Sequence, residues 1–287
     1  MDLGALSRWY RASARELPWR APGTSPWAVL VSEVMLQQTP VPRVLPVYEA
    51  WLRRWPTPHA LAADSPGEAV RMWGKLGYPR RALRLHECAT ALVERFDGRL
   101  PADVELLEAL PGIGAYTARA VAVFAFGRRH PVVDTNVRRV AARAVLGQAD
   151  AGPPAAKRDH ALVDALLPED EHEAATTSIA LMELGALVCT AGSPKCPVCP
   201  IESQCAWLRA GRPAYEGPTT RPQRFAGTDR QVRGLLMDVL RATDKPVQKQ
   251  VLDVVWADAD QRERALQSLL ADGLVTRKDK DEYALPG

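Results

Sequence analysis

The sequence predicts a mostly α-helical protein that closes with a small domain of short helices and two strands. Successive segments carry apolar residues at the helical period between capping signals, as in "SPWAVLVSEVMLQQTP" and "AYTARAVAVFAFG". In these two stretches proline and glycine fall at the ends: Pro26 and Pro40 in the first, Gly127 in the second. Alternation suited to strands appears only near the C-terminus, over 274–278 and 282–285 around "DKD".

Length and composition fit that class. The chain has 287 residues, 47% of them hydrophobic, enough for two domains with cores of their own. No apolar run approaches the roughly 18 residues a membrane helix needs, and the N-terminus lacks a basic segment followed by an apolar one, so a cytoplasmic protein is expected. A net charge of +3 only mildly favours nucleic acid.

In chain order, "LGALSRWYRASAREL" reads as the first helix. Ser25 is an N-cap, Pro26 a first helical residue, and Pro40 makes Thr39 the expected end of the next. Glu33 is the sole charge on that helix. Its mostly apolar neighbours are expected to desolvate the carboxyl group and raise its pKa toward that of a general acid; the alternative is a core glutamate paired with an arginine. A helix over 104–110, a hairpin of Pro111, Gly112, Ile113 and Gly114, and a helix over 115–126 closed by Gly127 form a helix-hairpin-helix. Its glycines and outward amides suit a phosphate, although a plain packing corner reads the same way. Asp134 follows the extended "HPVV" at the start of a helix ended by Gly147; by itself it reads as a cap, kept ionised by the helix dipole. One carboxyl expected to be protonated and one anionic is the division of labour that glycosidic cleavage uses.

Four of the five cysteines lie in "CTAGSPKCPVCPIESQC": Cys189, Cys196, Cys199 and Cys205. In a reducing compartment such thiols are metal ligands before they are disulfides. The chemistry admits zinc or an iron-sulfur cluster. Cys88 stands apart on a helix as a buried thiol.

The cysteine spacing resembles the [4Fe-4S] loop of the helix-hairpin-helix DNA glycosylases related to endonuclease III. With "SEVMLQQT", "LPGIGAYTA" and "VVDTNVRR" it is similar, over about residues 5–210, to the adenine DNA glycosylase (MutY) family. The resemblance implies two helical lobes with DNA in the cleft between them: residues 1–25 and 135–207 as the cluster lobe, 26–134 as the lobe carrying the hairpin. It implies that Glu33 protonates adenine, that Asp134 stabilises or captures the sugar cation, and that Tyr116 and Asn136 order the pocket. Gln38 and Thr39 match positions at the opened base pair, Leu76 and Tyr78 contacts near the base opposite adenine. Gly112, Gly114 and Lys195 are expected on phosphates, Lys195 otherwise being a solvated surface residue. The implied reaction is removal of adenine mispaired with 8-oxoguanine or guanine, after base flipping, by a monomer acting on double-stranded DNA in the nucleoid. Tyr116 stands where the endonuclease III enzymes carry a lysine nucleophile, so the strand is expected to stay uncut. A thymine or uracil mismatch glycosylase, or a non-catalytic DNA-binding protein, would share the scaffold.

Residues 208–227, rich in proline, glycine and arginine, read as a linker. The remaining 228–287 are too short for the large 8-oxoguanine-reading domain of long family members. Helices over 229–242, 247–255 and 258–272 before two strands resemble a winged helix. Its acidic residues, among them Asp258, Asp260, Glu263, Asp279 and Asp281, make a protein contact or a structural role as fitting as DNA contact.

Overall fold

A computed structural model describes residues 1–218 and 224–287; residues 219–223 of the expected linker lie outside the described residues. The helices are α1 Leu3–Ser13, α2 Pro26–Leu36, α3 Val41–Arg54, α4 Pro58–Ala62, α5 Pro66–Trp73, α6 Arg80–Phe96, α7 Val104–Glu108, α8 Ala115–Phe126, α9 Thr135–Ala141, α10 Ala156–Asp164, α11 Glu171–Leu187, α12 Ala206–Arg209, α13 Asp229–Arg241, α14 Lys249–Leu252 and α15 Ala259–Ala271. The strands are β1 Val247–Gln248, β2 Thr276–Asp279 and β3 Glu282–Ala284. The chain is mostly helical, as its periodicity predicts.

Two compact units form. The first holds Met1–Val29, Pro101–Ala109 and Ile113–Thr220. Its core joins Leu6 of α1, Val137 and Val140 of α9, Val163 of α10, and Leu181 and Leu184 of α11, all at most 1% exposed. Glu183 is also fully buried there, gripped by Arg15 at 2.6 Å and Arg20 at 3.0 Å. These arginines hold its carboxyl down to about 2 against the burial that would raise it. The helices α7 and α8 fall in this unit rather than with residues 30–100, because α8 packs on α11 and buries Ala120 and Val123 against Val132 and Ala175.

The second unit holds Leu30–Leu100, Leu110–Gly112 and Arg221–Gly287. Trp51 of α3 packs edge-on against Trp55 and Trp73 at centroid distances of 4.6 and 5.7 Å. Its C-terminal segment runs α13, β1, α14, α15, β2, β3, with antiparallel sheet order β1-β3-β2. The helix expected over 247–255 is shorter, Lys249–Leu252, because Val247 and Gln248 pair instead with Tyr283 and Glu282. The acidic residues of this segment are largely spent on structure. Asp258 caps α15, Asp253 meets Lys249 and Arg262, and Glu263 meets Lys249. Asp238, Asp244 and Asp272 pair with Lys75, Arg71 and Arg80. The segment is thereby fastened to the end of α5 and the start of α6.

Candidate active site

In the second unit, Glu33 lies on α2 with 7% of its surface exposed, beside Leu30 at 0% and Val34 at 4%. The helix stops at Leu36, three residues before the end that Pro40 led us to expect. Arg81 is the reason. Its Nη1 donates to the carbonyls of Val34, Met35 and Gln37 at 2.7–3.0 Å, taking up acceptors left by the end of the helix. Its Nη2 donates to Thr39 Oγ1 and to the Gly77 carbonyl, both at 3.0 Å. Thr39 in turn donates to the Leu76 carbonyl at 3.3 Å. One guanidinium therefore ties 34–39 to 76–78, and burial holds its pKa down to about 10.

Both tied loops contain a strained residue. Gln38 has φ of 53° and Tyr78 φ of 47°, left-handed values that side chains other than glycine seldom adopt. Gln38 is exposed and Tyr78 is 45% exposed, while Thr39 and Leu76 are buried at 6% and 4%. Of the residues expected near the opened base pair, Gln38 and Tyr78 are the ones presented to solvent.

The hairpin glycines differ in what requires them. Gly112 has φ of 75°, and a Cβ there would meet Arg84 Cβ at 2.6 Å, so its small size serves packing as well as the turn. Gly114 is the N-cap of α8, with open space around it. Tyr116 follows in the first turn and packs against the Ala120, Val123 and Val132 cluster.

In the first unit, Asp134 caps α9: its Oδ1 accepts from the Val137 amide at 2.7 Å and its Oδ2 from Asn136 Nδ2 at 2.9 Å. Burial pushes the carboxyl above its ordinary value, against those bonds and the charge of Arg139. The helix dipole predicts the opposite direction; the helix start that Asp134 caps and the bonds it accepts from Val137 and Asn136 do not offset the desolvation. Asn136 Oδ1 accepts from Arg139 at 2.7 Å, and Arg139 also donates to the carbonyls of Gly185 and Cys189 at 2.8 and 2.7 Å. A continuous chain of hydrogen bonds thus links Asp134 to the first cysteine of the loop. Gly185 permits it, since a Cβ there would lie 2.6 Å from Asn136 Cβ.

The thiols of Cys189, Cys196, Cys199 and Cys205 line one cavity, with Arg143 and Trp207. Among the described residues, no three histidine, cysteine or acidic side chains converge as ligands of a single ion. Burial lifts Cys199 to about 11 and raises Cys189, the latter against the charges of Arg143 and Arg139. Arg143, 5% exposed, donates to the carbonyls of Ala149, Thr190 and Ala191 and to Cys189 Sγ, and its guanidinium lies 4.7 Å from the Trp207 ring. Lys195 is exposed beside the loop, its amide bonded to the Val188 carbonyl at 2.9 Å.

Sequence reasoning passed over Arg81, Arg139, Arg143 and Glu183. Nothing in "YPRRALR" separates Arg81 from Arg80, since both lie on a helix start and only the fold buries one of them. Glu183 carries a usable signal, the one acid in the 174–187 stretch of α11, the same kind of signal that marks Glu33.

Residues 31–164 match the family described as HhH-GPD superfamily base excision DNA repair protein. The chain is 60% identical over 283 residues to an adenine DNA glycosylase of Mycobacterium tuberculosis, covering 98% of this chain and 92% of the relative. It is 36% identical over 200 residues to a thymine/uracil-DNA glycosylase of Pyrobaculum aerophilum, covering 69% of this chain and 86% of that one. Among solved structures, a thermostable thymine-DNA glycosylase matches with a TM-score of 0.66 at 25% identity, over 72% of this chain and 95% of the other. A trapped endonuclease III–DNA covalent intermediate matches with a TM-score of 0.62, also at 25% identity, over 73% and 94%. The chain belongs to the adenine DNA glycosylases of the HhH-GPD superfamily: it is a DNA-binding base-excision-repair enzyme that removes adenine.

Proposed function

We propose that the substrate is adenine mispaired with 8-oxoguanine or guanine in double-stranded DNA, taken by a monomer in the cytoplasm on nucleoid DNA. The observation that carries the chemistry is the pair of unlike carboxyl groups: Glu33 sunk in an apolar helix, Asp134 held at a helix start by Asn136 and Val137. Glu33 donates a proton to the flipped adenine ring, turning it into a leaving group. As the N-glycosidic bond breaks, Asp134 meets the positive charge on the sugar, and water completes the hydrolysis. Tyr116 and Asn136 fix the pocket. Gln38 fills the space left by the flipped base, next to Thr39, and Leu76 and Tyr78 lie by the opposite base. The backbone at Gly112 and Gly114 and the Lys195 ammonium hold phosphates.

The cysteine loop holds a [4Fe-4S] cluster through Cys189, Cys196, Cys199 and Cys205. Four thiols lining one cavity, at the spacing that resembles the [4Fe-4S] loop, support this reading. The cluster's contribution is to hold the loop that presents Lys195. About four irons per chain are expected, and zinc in their place would overturn the assignment.

Similarity to a thymine/uracil enzyme shows that the scaffold alone does not select the base. Single-turnover base release from duplexes carrying 8-oxoguanine:A, G:A, G:T and G:U decides it: release from the first two alone is expected. The same reactions under borohydride should give no protein–DNA crosslink, because the phenol of Tyr116 cannot form an imine with the sugar. A crosslink would show a lysine nucleophile elsewhere and end the monofunctional reading.

A further inference from the structure

The C-terminal segment brings one arginine to Tyr78. Arg230, the second residue of α13, places its guanidinium 5.0 Å from the Tyr78 ring centroid and 5.8 Å from that of Phe225. Tyr78 and Phe225 are large aromatic side chains left 45% and 54% exposed. All three residues belong to the second compact unit.

Arg230 differs from the other arginines of α13 and α15. On α13 and α15, Arg233, Arg241, Arg262 and Arg264 each meet a carboxylate, whereas Arg230 has no carboxylate partner among the described residues. It also sits in the first turn of a thirteen-residue helix, where the dipole disfavours a cation. The neighbouring acid, Asp229, is engaged by Gln261 and Arg264 at 3.0 and 3.3 Å. An exposed guanidinium between two exposed rings, with its donors uncommitted and its position locally unfavourable, is poorly explained by stability. It fits a nucleic acid surface: rings on which a base stacks, and a planar cation for phosphate oxygens or a base edge.

We propose that Arg230 and Phe225, together with Tyr78, bind the strand opposite the adenine, and that Arg230 supplies the preference for 8-oxoguanine over guanine there. This rests on the reading that places Tyr78 by the opposite base. The chemical basis is the C8 carbonyl of the oxidised base, an acceptor where guanine has only C–H. A guanidinium has five donors and no acceptor, so contact at C8 favours the oxidised base; contact at N7, an acceptor in guanine and an N–H in the oxidised base, would favour guanine, and the proposal therefore places Arg230 at the C8 carbonyl. The C-terminal segment is then part of the reading surface, with Tyr78 contributed by the loop that Arg81 braces from beneath.

The test uses the full chain and single-turnover adenine release from 8-oxoguanine:A and G:A duplexes, read as the ratio of the two rates. Arg230→Ala should lower that ratio about tenfold and Phe225→Ala about threefold, while Arg230→Lys, which keeps charge but loses the planar fork, falls between parent and alanine. Arg264→Ala, an exposed arginine already paired with Asp229, should leave the ratio unchanged. A shift with Arg264→Ala equal to that with Arg230→Ala would reduce the effect to general charge and overturn the proposal. Tyr78→Ala separates the two levels of the argument. If it lowers the ratio while Arg230→Ala and Phe225→Ala do not, the proposal fails and the placement of Tyr78 stands. If none of the three changes the ratio, the placement of Tyr78 has failed as well.

Discussion

Arg81 and Arg143 hold irregular backbone in different compact units, and the comparison shows two ways a functional loop is kept in shape. Arg143 gathers three loop carbonyls and a cysteine sulfur, with Trp207 against its guanidinium. The loop it serves also offers four thiols that a shared cofactor would bind together. Arg81 gathers four carbonyls and the Thr39 hydroxyl, and its loops include two residues other than glycine in left-handed backbone. Among the described residues, no cysteine lies within either loop. Two strained loops held by one side chain should be more sensitive to its loss in function, and the cysteine loop more sensitive in cofactor content.

Several measurements can break or sharpen that contrast. The largest effect should come from the group that Arg81 helps to place: Glu33→Gln is expected to lower adenine release about 10³-fold, roughly 4 kcal/mol, with duplex affinity nearly intact, since the amide keeps shape but donates no acidic proton. Turnover within tenfold of the parent would reject the assignment. Next, Arg81→Met and Arg143→Met should each cost about 3 kcal/mol of unfolding free energy, through several carbonyls losing a charged donor. Their functional losses should then diverge. Iron per chain is expected to stay at the parental level in Arg81→Met while base release falls, and to drop in Arg143→Met. Equal iron loss in both would mean that the two braces are not separable.

Glu183→Gln offers a reference, a buried charge that holds α11 to the chain at Arg15 and Arg20 and is assigned no part in binding or chemistry. The carboxyl is held near 2 against an ordinary 4.5, so its stabilising contribution is present above pH 4.5 and disappears as pH falls toward 2. At pH 7 the variant should be about 2 kcal/mol less stable than the parent, allowing for the amide's remaining hydrogen bonds and for the partial exposure of Arg15. Denaturant titrations should show that deficit shrinking below pH 4.5; a constant deficit would place the cost in packing. The smallest effect is assigned to Lys195→Ala, about 0.5 kcal/mol of duplex affinity, with the salt dependence reduced by about one phosphate contact. An unchanged salt slope would return Lys195 to the solvated surface.

Glu33 and Glu183 show how far the sequence reads. Each is a lone acid in an apolar helical run, and local pattern gives both the same two outcomes, a functional acid or a core carboxylate paired with arginine. Helical period, caps and glycine stops determined the helices, the hairpin and the cap at Asp134, because those signals act within a few residues of chain. The cysteine spacing limited which thiols could share a cavity, since a loop of seventeen residues restricts what they reach. Only the tertiary structure decided that Arg15 and Arg20 take Glu183, that Arg81 ends α2 early, that Arg139 joins Asn136 to Cys189, and that Arg230 comes to rest on Tyr78. Each of these is a guanidinium reaching a partner that is distant in sequence or selected only by burial. The chain carries many arginines, and their choice of partner depends on which acceptors folding takes out of water, a quantity that no short window of sequence contains.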